Sequence, residues 1–187
     1  MQSRRGLLSG VKVLDLSRVL AGPYCAMMLA DMGADVLKIE LPGKGDDSRS
    51  NYPIVGGESA YYMNLNRNKR GMTLNLKSEK GKEIFRELVK KSDIIIENYR
   101  PGVMEKLGLG YEELKKINPS IIYGSISGFG HYGPYSKRAG YDIIGQAMSG
   151  LMSTTGWPGG EATRTGTAIA DVMAGLSCCV GVLAAYI

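Results

Sequence analysis

An alternation of short β-branched runs with helix-length stretches constrains this 187-residue chain more than any single residue does. Val11–Leu16 reads as a strand, and Pro23–Met32 as a helix closed by Gly33, since glycine takes the left-handed backbone that ends helices. Asp35–Glu40 is then a second strand. The unit recurs as a strand over Met72–Leu76, a helix over Ser78–Lys90 and a strand over Asp93–Glu97, followed by helical stretches around Val103 and Tyr111 and a strand over Ser120–Ile126. Strands separated by helices are joined by crossovers rather than hairpins, so the expected fold is α/β, a Rossmann-like open parallel sheet with helices on both faces. The length and a 44% hydrophobic composition fit one domain over residues 1–187.

A formal net charge of +5 favours an anionic ligand, and its sign alone does not choose among a phosphorylated cofactor, an acidic metabolite and nucleic acid. Nucleic acid is the weakest of these, because the cationic run is short and lacks interleaved aromatic residues. Cys25, Cys178 and Cys179 are odd in number, and two are neighbours in an apolar run, which suits buried free thiols in a reducing, cytoplasmic compartment. The first ten residues carry Arg4 and Arg5 but no apolar core of a secretory signal, so the mature chain is expected to start near here. Val172–Ile187 is apolar but shorter than the roughly 20 residues of a membrane span, and is expected as a buried helix rather than a membrane segment. It stops without a cap or polar tail, as a chain cut off mid-fold would. A single histidine and no clustered Cys or acidic ligands argue against a metal site.

Two long connections, Leu41–Asn68 and Gly128–Gly140, leave the carboxyl ends of strands, where open α/β sheets bind ligands. The turn Ser17–Pro23 joins a strand to a helix whose first amides could face a phosphate, but it lacks the glycine-rich dinucleotide fingerprint. Glu40 is therefore expected as a strand-end surface carboxylate. Within Asn64–Gly71 the cations Arg67, Lys69 and Arg70 are by default a solvated run, and functionally a phosphate contact. Asn98–Gly102 follows a strand and is a turn at a ligand-binding edge, or ordinary Pro-Gly punctuation. Asp171 precedes the apolar helix and is first of all an N-cap; a carboxylate there, kept ionised by the helix amides among small neighbours, is also placed for nucleophilic chemistry. His131 is expected as a surface imidazole rather than a general base.

The order of these segments resembles the class III CoA-transferase family, which includes formyl-CoA transferase and the CaiB/BaiF proteins. The resemblance is carried by Gly10–Asp15 with Ala21-Gly22-Pro23, Gly33–Glu40, Asn68-Lys69-Arg70, Glu97–Gly102, Gly124–Gly130 and Gly140-Tyr141-Asp142. It implies that Leu20, Ala21, Leu74, Asn75, Leu76, Lys77, Asn98, Tyr99, Arg100 and Lys106 contact coenzyme A, with Lys137 and Arg138 as nearby basic candidates. Leu41 departs from relatives that carry an arginine there. The resemblance further implies that Asp171 is the nucleophile, attacking an acyl-CoA thioester to form a mixed anhydride and then an enzyme thioester, so that CoA passes to a small carboxylic acid without a metal. A racemase branch of the family carries a histidine where this chain has Tyr141, so Tyr141 sides with transfer; the racemase and a non-catalytic CoA-binding fragment are the alternatives. Relatives are longer, with a second domain and a glycine-rich loop, and form interlocked homodimers, so this chain would be the N-terminal, CoA-binding part of that larger fold.

Overall fold

The computed structural model describes residues 6–187, so Arg4 and Arg5 lie outside the described residues. The elements begin with β1 (Lys12–Asp15), α1 (Ala21–Asp31), β2 (Asp35–Glu40), the short strands β3 (Ile54–Val55) and β4 (Glu58–Ser59), and α2 (Ala60–Asn66). Next come β5 (Lys69–Thr73), α3 (Glu79–Val89), β6 (Ile94–Glu97), α4 (Val103–Lys106) and α5 (Tyr111–Ile117). The chain continues through β7 (Ile122–Ser125), α6 (Asp142–Met148) and α7 (Ile169–Tyr186).

Five strands form one parallel sheet in the order β5-β2-β1-β6-β7. Side chains alternate across it, and each face buries its own helices. Val13, Val36, Ile94 and Ile96 pack under α1 and α7, while Leu14, Ile39 and Ile95 pack with Phe85 and Val89 of α3 and Leu114 of α5. Phe85 and Val89 lie four residues apart, one turn of an apolar helix face, and Ser78 caps that helix by accepting the Gly81 amide at 3.1 Å. Gly33, at φ 101°, closes α1. The chain builds outward from β1 through β2 to β5, then crosses back to β6 and β7. The order therefore reverses between β1 and β6, and a crevice opens where their carboxyl ends part.

Three expectations change. The third sheet strand is Lys69–Thr73 rather than Met72–Leu76, because pairing with β2 runs from Val36↔Lys69 to Glu40↔Thr73, and this register takes the cationic residues into the strand. Leu41–Asn68 is not an open loop: it holds a 3-10 turn at Asp47–Ser50, the β3–β4 hairpin and α2. The apolar C-terminal helix begins at Ile169 and buries only one face, through Gly175, Cys179 and Val182, whereas Met173 and Val180 are 49% and 60% exposed. By length and composition α7 could cross a membrane. Its buried stripe is nevertheless integral to the core, and a Cβ on Gly175 would lie 2.4 Å from the Ala21 carbonyl oxygen, so glycine alone permits this approach of α7 to α1.

Candidate functional site

The first turn after β1 and the segment after β6 meet at the crevice. Asn98 receives the Arg18 amide on its side-chain oxygen at 2.7 Å and returns a bond to the Arg18 carbonyl at 2.8 Å, locking the two segments together. A cleft of about 370 Å³ opens beside them, within the size range of ligand sites. Of the residues singled out from the sequence, Leu20, Ala21, Asn98, Tyr99, Arg100, Arg138, Tyr141 and Asp171 line it. Leu74, Asn75, Leu76, Lys77, Lys106 and Lys137 lie outside this lining. Leu74 and Leu76 bury their side chains in the core beside Phe85, while Asn75, Lys77, Lys106 and Lys137 are exposed. Among the described residues, Arg100 and Arg138 have no carboxylate partner, so their charge is available to an anion. Arg18 is already paired with Asp47 at 3.3 Å and lies 5.3 Å from the Tyr99 ring centre.

The first turn is strained and is held from beneath. Val19 has φ 67°, a conformation that costs a β-branched residue about 1–3 kcal/mol and persists only under outside constraint. Its amide donates to Asp46 at 3.1 Å, and Asp46 is paired with Lys38 at 2.9 Å, with both side chains at 1% exposure or less. Lys38 also donates to the Ser17 carbonyl at 2.9 Å. Burial works against the Asp46 charge, but Lys38 and the Ser48 hydrogen bonds outweigh it and hold the carboxyl below its usual range. Beside this pair, Lys69 is buried against Asp15 at 2.8 Å and donates to the Pro23 carbonyl at 3.0 Å, which anchors the start of α1.

Of the three cations expected to be solvated, Lys69 is buried, whereas Arg67 and Arg70 are exposed and ion-paired. Arg67, just after α2, pairs with Asp31 at the end of α1 at 2.5 Å, Lys69 with Asp15 of β1, and Arg70 with Asp35 at 2.9 Å, the last because β5 runs alongside β2. Glu40 is not a surface carboxylate either. It is 8% exposed and accepts from Arg49, Tyr62 and the Asp46 amide, each at 2.7–2.8 Å. His131 is half-buried rather than free, its Nε2 lying 2.5 Å from Ser125 Oγ, and Ser125 donates in turn to Glu97. Burial pushes the Glu97 carboxyl up in spite of that bond.

Asp171 is the third residue of α7, not its N-cap, which is Ala168. The amides of Ala170 and Asp171 instead donate to Asp142 at 2.8 and 3.3 Å. They are already satisfied, so they do not serve as free donors to a developing charge. The Asp171 carboxylate is half-buried and, among the described residues, accepts no hydrogen bond from the protein. Burial first, and the negative Asp142 second, push its pKa up. The helix start therefore does not depress it, contrary to the expectation from helix position alone. The cleft thus holds an unpaired carboxylate of raised basicity among small residues, with Arg100 and Arg138 elsewhere in its lining, an arrangement fit for nucleophilic attack on a bound anionic ester or thioester.

The match to known proteins decides the family. The model of CoA-transferase family III matches residues 8–187. The chain belongs to CoA-transferase family III. It is 51% identical over 170 residues to the human succinyl-CoA:glutarate CoA-transferase, covering 90% of this chain and 39% of that protein. It is 48% identical over 182 residues to the acetyl-CoA:oxalate CoA-transferase of Acetobacter aceti, covering 97% of this chain and 47% of that one. The crystal structure of a CAIB/BAIF family protein from Brucella suis superposes with a TM-score of 0.93 at 45% identity, covering 98% of this chain and 50% of the other. This family III chain therefore spans about half the length of the relatives it matches, or less.

Several lining residues of the family III chain escaped the sequence. Arg18 and Asp47 were hidden in an irregular turn and in a stretch read as loop. Ser127 lines the cleft, and its Oγ is buried without a hydrogen-bond partner among the described residues. The Gly124–Gly130 motif named the segment, but only the curl of the chain past β7 turns that hydroxyl inward.

Proposed function

We propose that this chain supplies the CoA-binding and nucleophilic half of an enzyme that moves CoA from an acyl-CoA to a carboxylic acid. The observation that carries this is the unpaired, half-buried Asp171 carboxylate in the switch-point cleft, whose lining also holds the free Arg100 and Arg138. An Asp171 oxygen attacks the thioester carbonyl; the C–S bond breaks and CoA leaves as thiolate, giving a mixed anhydride. The thiolate then attacks the aspartyl carbonyl, releasing the donor acid and leaving an Asp171 thioester. The acceptor carboxylate attacks that thioester to give a second anhydride, and the thiolate attacks the acceptor's acyl carbon. New acyl-CoA and free Asp171 result, so one carboxylate divides a hard exchange into easier steps.

Leu20, Ala21 and Asn98–Arg100 are the proposed CoA contacts in the cleft, with Arg138 on its phosphates. Leu74–Lys77, Lys106 and Lys137 are proposed to meet the part of CoA that extends beyond the cleft. Tyr141, 75% exposed at the cleft mouth, is proposed to face the acyl group. Small mono- and dicarboxylic acids such as succinate, glutarate, acetate and oxalate are the proposed donors and acceptors, after the relatives' names. The whole protein is proposed to be a cytoplasmic homodimer of interlocked chains.

Mass spectrometry after incubation with an acyl-CoA panel tests the proposal. The expected result is an adduct on Asp171 that hydroxylamine removes and Asp171→Ala abolishes. Solvent deuterium entering the acyl α-carbon without any adduct would replace transfer with racemase chemistry.

A further inference from the structure

The N-terminus of α7 is capped from another helix. A helix leaves its first amides without partners, and an acidic side chain in the first turn ordinarily answers them. Ala168 at the N-cap has no side-chain acceptor to offer, and the amides of Ala170 and Asp171 are taken by Asp142 Oδ1. Asp142 Oδ2 accepts from Gln146 Nε2 at 2.6 Å, one turn along α6. Gln146 is fully buried, and its Oε1 accepts from the Thr165 amide at 2.9 Å. A backbone amide can only donate, so Thr165 fixes which end of the Gln146 side chain faces Asp142, and hence the orientation of the Asp142 carboxylate. A fully buried glutamine held in one orientation is costly unless every bond is made, and here the bonds run in one line from Thr165 to α7.

We infer that Gln146 and Asp142 are positioning residues that saturate the α7 amides and so keep the Asp171 carboxylate unpaired and available in the cleft. Without them Asp171 would fold back on its own helix terminus and lose its reactivity. The inference rests on Asp171 being the nucleophile. Among the described residues, Asp142 from α6 and the phenol of Tyr61 from α2, whose own ionisation is opposed by burial and then by Asp171, interact with Asp171, while Arg138 lines the same cleft.

The test exchanges the roles of the two side chains in the full chain. Asp142→Asn alone sets two NH2 groups against each other, and Gln146→Glu alone sets two carboxylates against each other. The double variant restores the line from Thr165 to α7, though not the longer bond from position 146 to the Thr167 carbonyl, 3.4 Å in the parent. Its new amide at position 142 donates to the new carboxylate at position 146, which still accepts from Thr165, while the oxygen of that amide still accepts from α7. Two readouts are taken, the titration of the Asp171 carboxyl carbon by NMR and the pH dependence of Asp171 labelling by acyl-CoA. Each single variant is expected to slow labelling by at least about tenfold, and the double variant to recover most of that loss. Asp171 is expected to titrate below its parental position in the double variant, because the neighbouring charge has moved away from α7. Equal losses in the single and double variants, or an Asp171 titration that does not move, would overturn the inference. A parent chain that is never labelled would instead overturn the nucleophile assignment, and the titration would still judge the clamp. Circular dichroism identifies any single variant that fails to fold, in which case the refolded double variant decides.

Discussion

Removing the Asp46 carboxylate should uncouple the first turn from its support. In Asp46→Ala, Lys38 keeps the Ser17 carbonyl at 2.9 Å but loses its paired carboxylate at 2.9 Å, in a site where its side chain is 1% exposed. Stranding one partner of a buried pair costs about 3–5 kcal/mol. The Val19 amide also loses its acceptor, but the two losses share one carboxylate and do not simply add. A total of about 4–5 kcal/mol follows, a large part of a typical domain stability of roughly 5–15 kcal/mol. At about 2–4 °C per kcal/mol for a domain of this size, the melting temperature should fall by roughly 8–20 °C. Asp46→Asn keeps an acceptor for Val19 and should lose roughly half as much. Lys38→Met with Asp46→Leu removes both charges and should recover most of the stability, but not CoA binding, because Val19 is no longer held at positive φ. Thermal unfolding with calorimetric CoA titration reads both effects. Losses below about 1 kcal/mol in both single variants would show that water screens the pair, and would refute the role given to it.

Gly22→Ala would place a Cβ 2.2 Å from Ser17 Cβ and 3.2 Å from Asn98 Cγ, so it should displace the first turn and weaken CoA binding at least about tenfold while costing about 1–3 kcal/mol in urea unfolding. Ser127→Ala removes a buried cleft hydroxyl that has no partner among the described residues, so the variant should be as stable as the parent or up to about 1 kcal/mol more so, while calorimetric binding of acyl-CoA should weaken. Burial raises Glu40, but bonds from Arg49, Tyr62 and the Asp46 amide overcome it and hold the carboxyl at about 2, against an ordinary 4.5. A depressed carboxyl contributes stability above its unfolded pKa and loses it as pH falls through the folded one, so Glu40→Gln should flatten the acid limb of the stability curve between pH 4.5 and about 2. Asp15 and Asp46, also held low by their lysines against burial, leave a residual slope in the same sense.

The sheet was legible because its signal is local. Asp35–Glu40 is the strand and Ser78–Lys90 spans the helix read from the sequence, since side-chain alternation and helix ends depend on residues within a few positions of one another. The rule that parallel sheets bind ligands at their carboxyl ends pointed to the first turn and to Asn98 separately, and only the fold joined them through the Arg18 amide. Local signals also misled. Lys69, Glu40 and Asp171 read as a solvated cation, a surface acid and a helix cap, because a sequence window sees only neighbours along the chain. Lys69 is buried against Asp15, 54 residues away, and Asp171 yields its cap to Asp142, 29 residues away. The order of residues was enough for most of the strands and helices and for the family to which their succession belongs. Which charges are committed to the core and which stay free in the cleft was settled by packing, because a charge's partner and its loss of water depend on what the folded chain brings within a few ångströms.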